Sequence, residues 1–184
     1  MHTTSHEAVK RYVEKMYAGS SRLLRVLDIG SYDCNGTYKD IFNGSLIPDF
    51  NWIYTGMDTR PGPNVDIVCR DLYSWPELDC VYPDLIISGQ CLEHVPMPWV
   101  WIKEIARICT PGGHILLVAP WRAPYHKAPV DCWRILPDGA IALLEWADLI
   151  PVEITMERNA ETLDDITQTG KSWGDDTLIV ARKP

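Results

Sequence analysis

The stretch VLDIGSYDCNG, Val26 to Gly36, decides how the rest of the chain is read. A short apolar run stops at a carboxylate and a glycine, as a buried strand does when a tight loop leads on into a helix. At such a strand end the backbone can approach a bound nucleotide closely, and a helix N-terminus offers free N–H groups. Taken alone, the motif is equally an ordinary β–α turn. The phosphate-binding pattern G-x-G-x-x-G is absent, because Ser31, Tyr32 and Asp33 follow Gly30. Asp28 and Asp33 would repel a pyrophosphate and suit a ligand with a cationic end.

Outward from this stretch, strand and helix patterns alternate. Upstream, residues 7–18 place Val9, Tyr12, Val13, Met16 and Tyr17 on one helical face, with Ser5 as the candidate N-cap and Gly19 as the candidate C-cap. RVLDIG, Arg25 to Gly30, is the first strand. NWIYTGMD (Asn51 to Asp58), VDIVC (Val65 to Cys69), DLIISGQ (Asp84 to Gln90) and HILLVAP (His114 to Pro120) follow. Between them, Trp99, Ile102, Ile105, Ala106 and Cys109 share one helical face, and residues 138–147 form a further helix. Segments 152–158 and 176–183 read as two late strands joined only by a loop, hence an antiparallel edge hairpin. The alternation predicts a parallel sheet with helices on both faces. No linker interrupts residues 1–184, so one domain is expected, with residues 1–20 as an N-terminal helical extension.

Three further motifs stand at strand ends. Asp58 in GMDTRPGP closes the second strand, placed to accept both hydroxyls of a ribose; it is otherwise a turn-starting Asp before Pro61–Gly62. Asp71 in CRDLYSWP is placed to read an adenine amino group, or equally to cap a turn. In DLIISGQCLEHV, Gly89 and Gln90 fall beyond the fourth strand, where ligands of open α/β sheets bind. His94 follows as a base or a plain loop histidine.

Composition narrows the function classes. The 184 residues carry a formal net charge of −8, with Lys10–Arg11 and Arg22–Arg25 as the short basic clusters, which argues against a nucleic-acid partner. The six cysteines form no C-x-x-C pair and no zinc-finger spacing, so no metal is expected; they read as reduced thiols of a cytoplasmic protein. Cys69, Cys91 and Cys109 lie in apolar runs as small hydrophobes. No apolar stretch approaches the roughly 20 residues a membrane span needs, and the polar N-terminus lacks a signal-peptide core.

In order, VLDIGS, GMD, DLIISGQCLEHV and PGGHILLVAP resemble the class I S-adenosylmethionine-dependent methyltransferases, in particular the type 11 branch. The resemblance covers about residue 24 to the C-terminus. The family's glycine loop usually carries two more glycines than GSYDCNG. The resemblance implies a Rossmann-like three-layer α/β sandwich on a seven-stranded, mostly parallel sheet of order 3-2-1-4-5-7-6. It implies S-adenosylmethionine as cofactor. The Gly30 loop (Asp28, Ser31, Tyr32, Asp33, Gly36) would meet the methionine moiety, and Asp58 with Thr59 the ribose. Asp71 and Leu72 would flank the adenine, and Gly89 and Gln90 would complete the site. No universal catalytic residue comes with the family.

The segment WRAPYHKAPVDCWR, Trp121 to Arg134, resembles an H-x-x-P-x-D-x-W-R stretch of some type 11 members. Trp121, Tyr125, Asp131, Trp133 and Arg134 are candidate acceptor-binding residues; the alternative is a packed surface loop with Arg134 paired to Asp131. His126 and His94 are the candidate bases, His126 the favoured one. SGQC stands where N-P-P-Y-like motifs of DNA methyltransferases follow the fourth strand. The expected function is methyl transfer to a small-molecule or carbohydrate-like acceptor. The alternatives are a non-catalytic binding module on the same fold and a nicotinamide oxidoreductase, which the missing G-x-G-x-x-G opposes.

Overall fold

The computed structural model describes residues 3–17, 20, 22–34, 36–43, 52–127, 129–157 and 175–184. Gly19, Asn51 and Arg158, named above as element ends, lie outside these. In chain order the elements are α1 (Thr3–Tyr17), β1 (Leu24–Ile29), α2 (Lys39–Phe42), β2 (Trp52–Asp58), β3 (Ile67–Val68) and β4 (Leu85–Gly89). After these come α3 (Pro98–Ile108), β5 (His114–Arg122), α4 (Pro137–Trp146), β6 (Ile150–Glu157) and β7 (Asp175–Arg182). Single 3-10 turns occupy Pro76–Leu78 and Leu92–His94. The strands form one seven-stranded sheet of order β3-β2-β1-β4-β5-β7-β6. β7 runs antiparallel to both β5 and β6, and every other pair is parallel.

The order of the sheet puts the site where it is. The chain leaves β1 toward β2 on one side and returns to β4 on the other, so the strand order reverses between β1 and β4 and opens a crevice there. Alternating side chains build two cores. Val26, Leu85, Ile87, Leu116, Val118, Leu178 and Val180 face α1 and α2, whereas Leu27, Ile29, Ile86, Ile115, Leu117 and Ile179 face α3 and α4. The parallel strands therefore read as continuous apolar runs, being covered on both faces.

Several expectations need correction. α1 begins at Thr3, so Ser5 lies inside the helix; its hydroxyl donates to Asp176 Oδ2 at 2.5 Å instead of capping. The buried stripe of α1 is Ala8, Val9, Tyr12 and Val13, while Met16 is exposed, because the last turn overhangs the sheet and Lys15 reaches out to Glu153. No helix follows Gly30 directly: residues 31–34 and 36–38 are not helical, and α2 is one turn long, so among the described residues no helix N-terminus faces the end of β1. β3 shrinks to two residues. β5 extends to Arg122, which places Trp121 on a strand. On α3 the buried tryptophan is Trp101, edge-on to Trp75, and Trp99 is exposed.

A candidate cofactor and acceptor site at the strand ends

Asp28 is the centre of the first half of the site. It is the fifth residue of β1, 3% exposed, and its Oδ2 accepts the Tyr54 hydroxyl at 2.5 Å. Tyr54 reaches it because β2 lies directly beside β1, with Val26 paired to Tyr54 and Asp28 to Gly56. Among the described residues no cation pairs with Asp28. Burial therefore pushes its pKa up to about 7, against the lowering effect of the Tyr54 hydrogen bond and with a further push from Asp58. A carboxylate kept in this state is complementary to a cationic ligand.

The loop after β1 is held by β2 and its following turn. Gly30 and Ser31 donate to the Met57 carbonyl at 2.9 and 3.0 Å, and Gly30 adopts φ +78°, a left-handed conformation that favours glycine. The side a Cβ would fill is taken by Cys91 Sγ, 2.9 Å away. Ser31 Oγ donates to the Asn64 carbonyl at 2.8 Å. Asn64 Nδ2 lies within 3.0 Å of Ser31 O, Thr37 Oγ1 and Tyr54 Oη, so Asn64 stitches the loop to the Asp28–Tyr54 pair. Asp33 Oδ1 accepts the Gly36 N–H at 2.7 Å, a local turn that turns this carboxylate inward on its own loop.

Asp58 ends β2 half-buried. Its oxygens accept Tyr32 N, Arg60 N and Thr59 Oγ1 at 3.2, 3.3 and 3.3 Å, long for bonds to a carboxylate. Tyr32 lies under the Arg60 guanidinium at 4.2 Å. Asp71 Oδ1 takes the Tyr73 N–H at 2.7 Å and its carbonyl takes Trp75 Nε1, so it caps its own turn. Leu72 is exposed beside it. A cleft of about 640 Å³ opens here, lined by Pro61, Val68, Arg70, Asp71, Ser74, Pro76 and Glu77. It is large enough for a nucleoside base, and it stops short of Asp28 and Glu93.

The second half of the site surrounds β4. Tyr38, fully buried, lies on Gly89: a Cβ there would stand 2.1 Å from the hydroxyl. That hydroxyl has no hydrogen-bond partner among the described residues, and its pKa is driven far up by burial and by Asp28, Asp176 and Glu93. Tyr38, rather than Gly89, thus presents the surface at this strand end. Gln90, at φ +56°, turns its amide away to Asp176 Oδ1 at 2.9 Å. Glu93 is 0% exposed, and burial pushes its pKa up to about 8. Trp121 Nε1 is also buried, with no partner among the described residues.

The loop after β5 closes over this region. Arg134 donates to Asp131 Oδ1 and Oδ2 at 2.6 and 2.8 Å and to the carbonyls of Ala123 and Pro124. Arg134 holds the Asp131 carboxyl well below the usual carboxylate range. Asp131 Oδ2 in turn accepts the His126 N–H at 2.7 Å. Asp131 and Arg134 therefore staple the loop, and they bring His126 to His94 with ring centroids 5.1 Å apart. Cys132 and Trp133 anchor it by donating their backbone N–H groups to the Glu93 carbonyl. Trp133 donates to Val95 O at 2.9 Å and stands edge-on to Trp99, both rings partly in solvent. Tyr125 is exposed. Sequence reading passed over Tyr38, Tyr54, Asn64 and Glu93; Tyr38 and Asn64 stand in loops without a periodic signal, Tyr54 looks like any other β2 residue, and Glu93 is hidden in LEHV.

Residues 50–117 match the family described as Methyltransferase domain. The match spans the second to the fifth strand, and the sheet order is that of the solved methyltransferase folds below. Solved structures share the fold at low identity. A Burkholderia thailandensis 1,6-didemethyltoxoflavin-N1-methyltransferase, with its substrate and S-adenosylhomocysteine bound, is 15% identical at a TM-score of 0.68, covering 97% of this chain and 78% of that one. A methyltransferase from Archaeoglobus fulgidus is 15% identical at 0.59, over 97% and 94%. The cyclase SpnF is 16% identical at 0.65, over 97% and 80%, so the fold by itself does not fix the reaction. No curated protein sequence matches the chain significantly. Among the described residues no helix is long and apolar enough to cross a membrane.

Proposed function

We propose that this chain, folded as one domain, is an S-adenosylmethionine-dependent methyltransferase of the type 11 branch that transfers the methyl group to a hydroxyl of a small-molecule or carbohydrate-like acceptor bound under the 121–134 loop. The observation that carries the cofactor half is Asp28, a buried carboxylate at the end of β1 with no cationic partner among the described residues. S-adenosylmethionine supplies the activated methyl on its sulfonium. Asp28, Gly30, Ser31, Tyr32, Asp33 and Gly36 form the methionine end of this reading, with Tyr38 standing over Gly89 and Gln90. Asp58 and Thr59 exchange their long local hydrogen bonds for ribose hydroxyls, and Asp71 and Leu72 border the cleft as the adenine end. Transfer is an in-line displacement, so alignment and exclusion of water by the buried floor of Glu93 and Tyr38, with the partly buried Trp121 beside it, do much of the work.

The acceptor half rests on the pairing of two rings. His94 Nδ1 lies 2.5 Å from Val130 O and His126 Nδ1 lies 3.0 Å from Pro124 O. A carbonyl only accepts, so each Nδ1 carries the proton and each Nε2 is bare. The two rings, edge to face with centroids 5.1 Å apart, receive a hydroxyl, and His126, the more exposed, meets it first. Trp133 and Tyr125 offer aromatic faces for a sugar-like ring, while Asp131 and Arg134 hold the loop in place. Free cysteines at all six positions suit a reducing compartment such as the cytoplasm. The test is a screen of hydroxylated small molecules and sugars with methyl-labelled S-adenosylmethionine. Label incorporation that His126→Asn lowers at least tenfold supports the reading. A His126→Asn variant with normal turnover removes the histidine from it, and transfer only to amines or nucleic acid removes the acceptor class.

A further inference from the structure

Glu93, His94 and His126 bring three metal-ligating side chains together outside any spacing the sequence displays. One ligand atom from each of Glu93, His94 and His126 lies within 4.8 Å of the other two. Glu93 Oε1 and His94 Nε2 are 3.6 Å apart. Ligands held at about 2.1 Å from one divalent ion stand roughly 3–3.5 Å apart, so the Glu93–His94 pair is already near ligand spacing.

Three independent features point to a cation there. The two imidazoles are already in the ligand tautomer, since each Nδ1 is committed to a backbone carbonyl and each Nε2 is bare, the second-shell arrangement that metal-bound histidines use. Glu93 is fully buried, and among the described residues no other side chain or backbone group donates a hydrogen bond to either of its oxygens. An isolated buried carboxylate is costly, and a bound cation removes that cost. Finally, the loop that carries His126 is fixed from behind: Asp131 accepts its N–H, Arg134 grips Asp131, and the next two N–H groups of the loop bind the carbonyl of Glu93 itself.

We propose that Glu93, His94 and His126 bind one divalent first-row transition-metal ion, facing the acceptor with open coordination positions. Two imidazoles and one carboxylate suit Zn²⁺, Fe²⁺, Co²⁺ or Mn²⁺ better than Ca²⁺ or Mg²⁺, and three protein ligands leave room for oxygen donors. The inference deepens the acceptor reading above and rests on it for the role of the ion. The histidine pair then acts on the hydroxyl through the metal. The metal-bound hydroxyl releases its proton to solvent, and the oxygen forms a bond to the methyl carbon. The carbon–sulfur bond breaks, and its electron pair stays on the neutral thioether.

The test uses the full chain stripped with a chelator, reduced, and titrated with Co²⁺ under visible spectroscopy, with S-adenosylhomocysteine binding measured by thermal shift on the same samples. Expected is one Co²⁺ per chain, displaced by Zn²⁺, with affinity lowered at least tenfold in both His94→Asn and His126→Asn. Failure to take up Co²⁺ at millimolar concentration overturns the metal site. So does uptake that neither histidine variant weakens, as cysteine ligation would give. His126 sits on a part-exposed loop, so its variant keeps the comparison valid if His94→Asn does not fold. A normal S-adenosylhomocysteine shift without Co²⁺ uptake defeats the metal alone; Co²⁺ uptake without the shift defeats the cofactor reading alone.

Discussion

Replacing Asp28 with asparagine should stabilise the ligand-free protein at pH 8 and weaken its hold on the cofactor. Asp28 is 3% exposed, and its pKa stands at about 7 against an ordinary 3.8. The folded state thus holds this proton more tightly than the unfolded chain does. The stability it contributes is fully present below pH 3.8 and is lost as pH rises through about 7. At 1.36 kcal/mol per pH unit the loss amounts to about 4 kcal/mol. Asparagine has the same shape, keeps an oxygen for the Tyr54 hydroxyl, and has no charge to desolvate. The variant should match the wild type near pH 4 and exceed it by up to about 4 kcal/mol at pH 8, roughly 8–16 °C in Tm for a chain of this size. A cationic ligand supplies the missing countercharge, so S-adenosylmethionine should raise the wild-type Tm more at pH 8 than at pH 6, and the variant should lose that difference. Thermal unfolding of both proteins from pH 4.5 to 8.5, with and without ligand, reads these effects. Parallel wild-type and variant curves across that range, or a variant less stable at pH 8, would refute the reasoning.

Other changes probe the rest of the site. Asp58→Asn should lower affinity for S-adenosylhomocysteine by about 1.5–3 kcal/mol in calorimetry, ten- to a hundredfold; unchanged affinity would take Asp58 out of the ribose role. Gly89→Ala places a methyl 2.1 Å from the Tyr38 hydroxyl and should cost about 1–3 kcal/mol of stability, part of it recovered by Tyr38→Phe in a double-mutant cycle. Arg134→Lys should cut turnover by loosening His126, since lysine cannot reproduce the two-pronged grip on Asp131. Because Asp131 titrates only in strong acid, the Tm cost of that variant should stay constant between pH 5 and 9, and a cost that varies over this range contradicts the assignment.

The sheet was legible because its strands are apolar on both faces and end at Gly30, Asp58 and Gly89, and the order of those ends carries the topology. The hidden parts have physical reasons. The face of α3 was misread by one tryptophan, since Trp99 and Trp101 are both apolar and only the angle of α3 to the sheet selects Trp101. α1 looked capped at Ser5, yet the serine serves Asp176 on β7, a partner 171 residues away. The acidic strand ends of VLDIG and GMD were visible as motifs. The hub Asn64, Tyr38 packed on Gly89 and the tyrosine on Asp28 were not, because each gains meaning only from a neighbour across the sheet. In the loop after β5 the list of polar residues was legible, but not the division of labour: Asp131 and Arg134 spend their charges on each other, which leaves His126 to face His94 and Glu93.

Calorimetry of the full chain with S-adenosylhomocysteine, run beside NADH, tests the central claim most directly. The nucleoside thioether should bind at one site per chain, and NADH should give no heat. No binding of S-adenosylhomocysteine at millimolar concentration, or tight binding of NADH in its place, would contradict it.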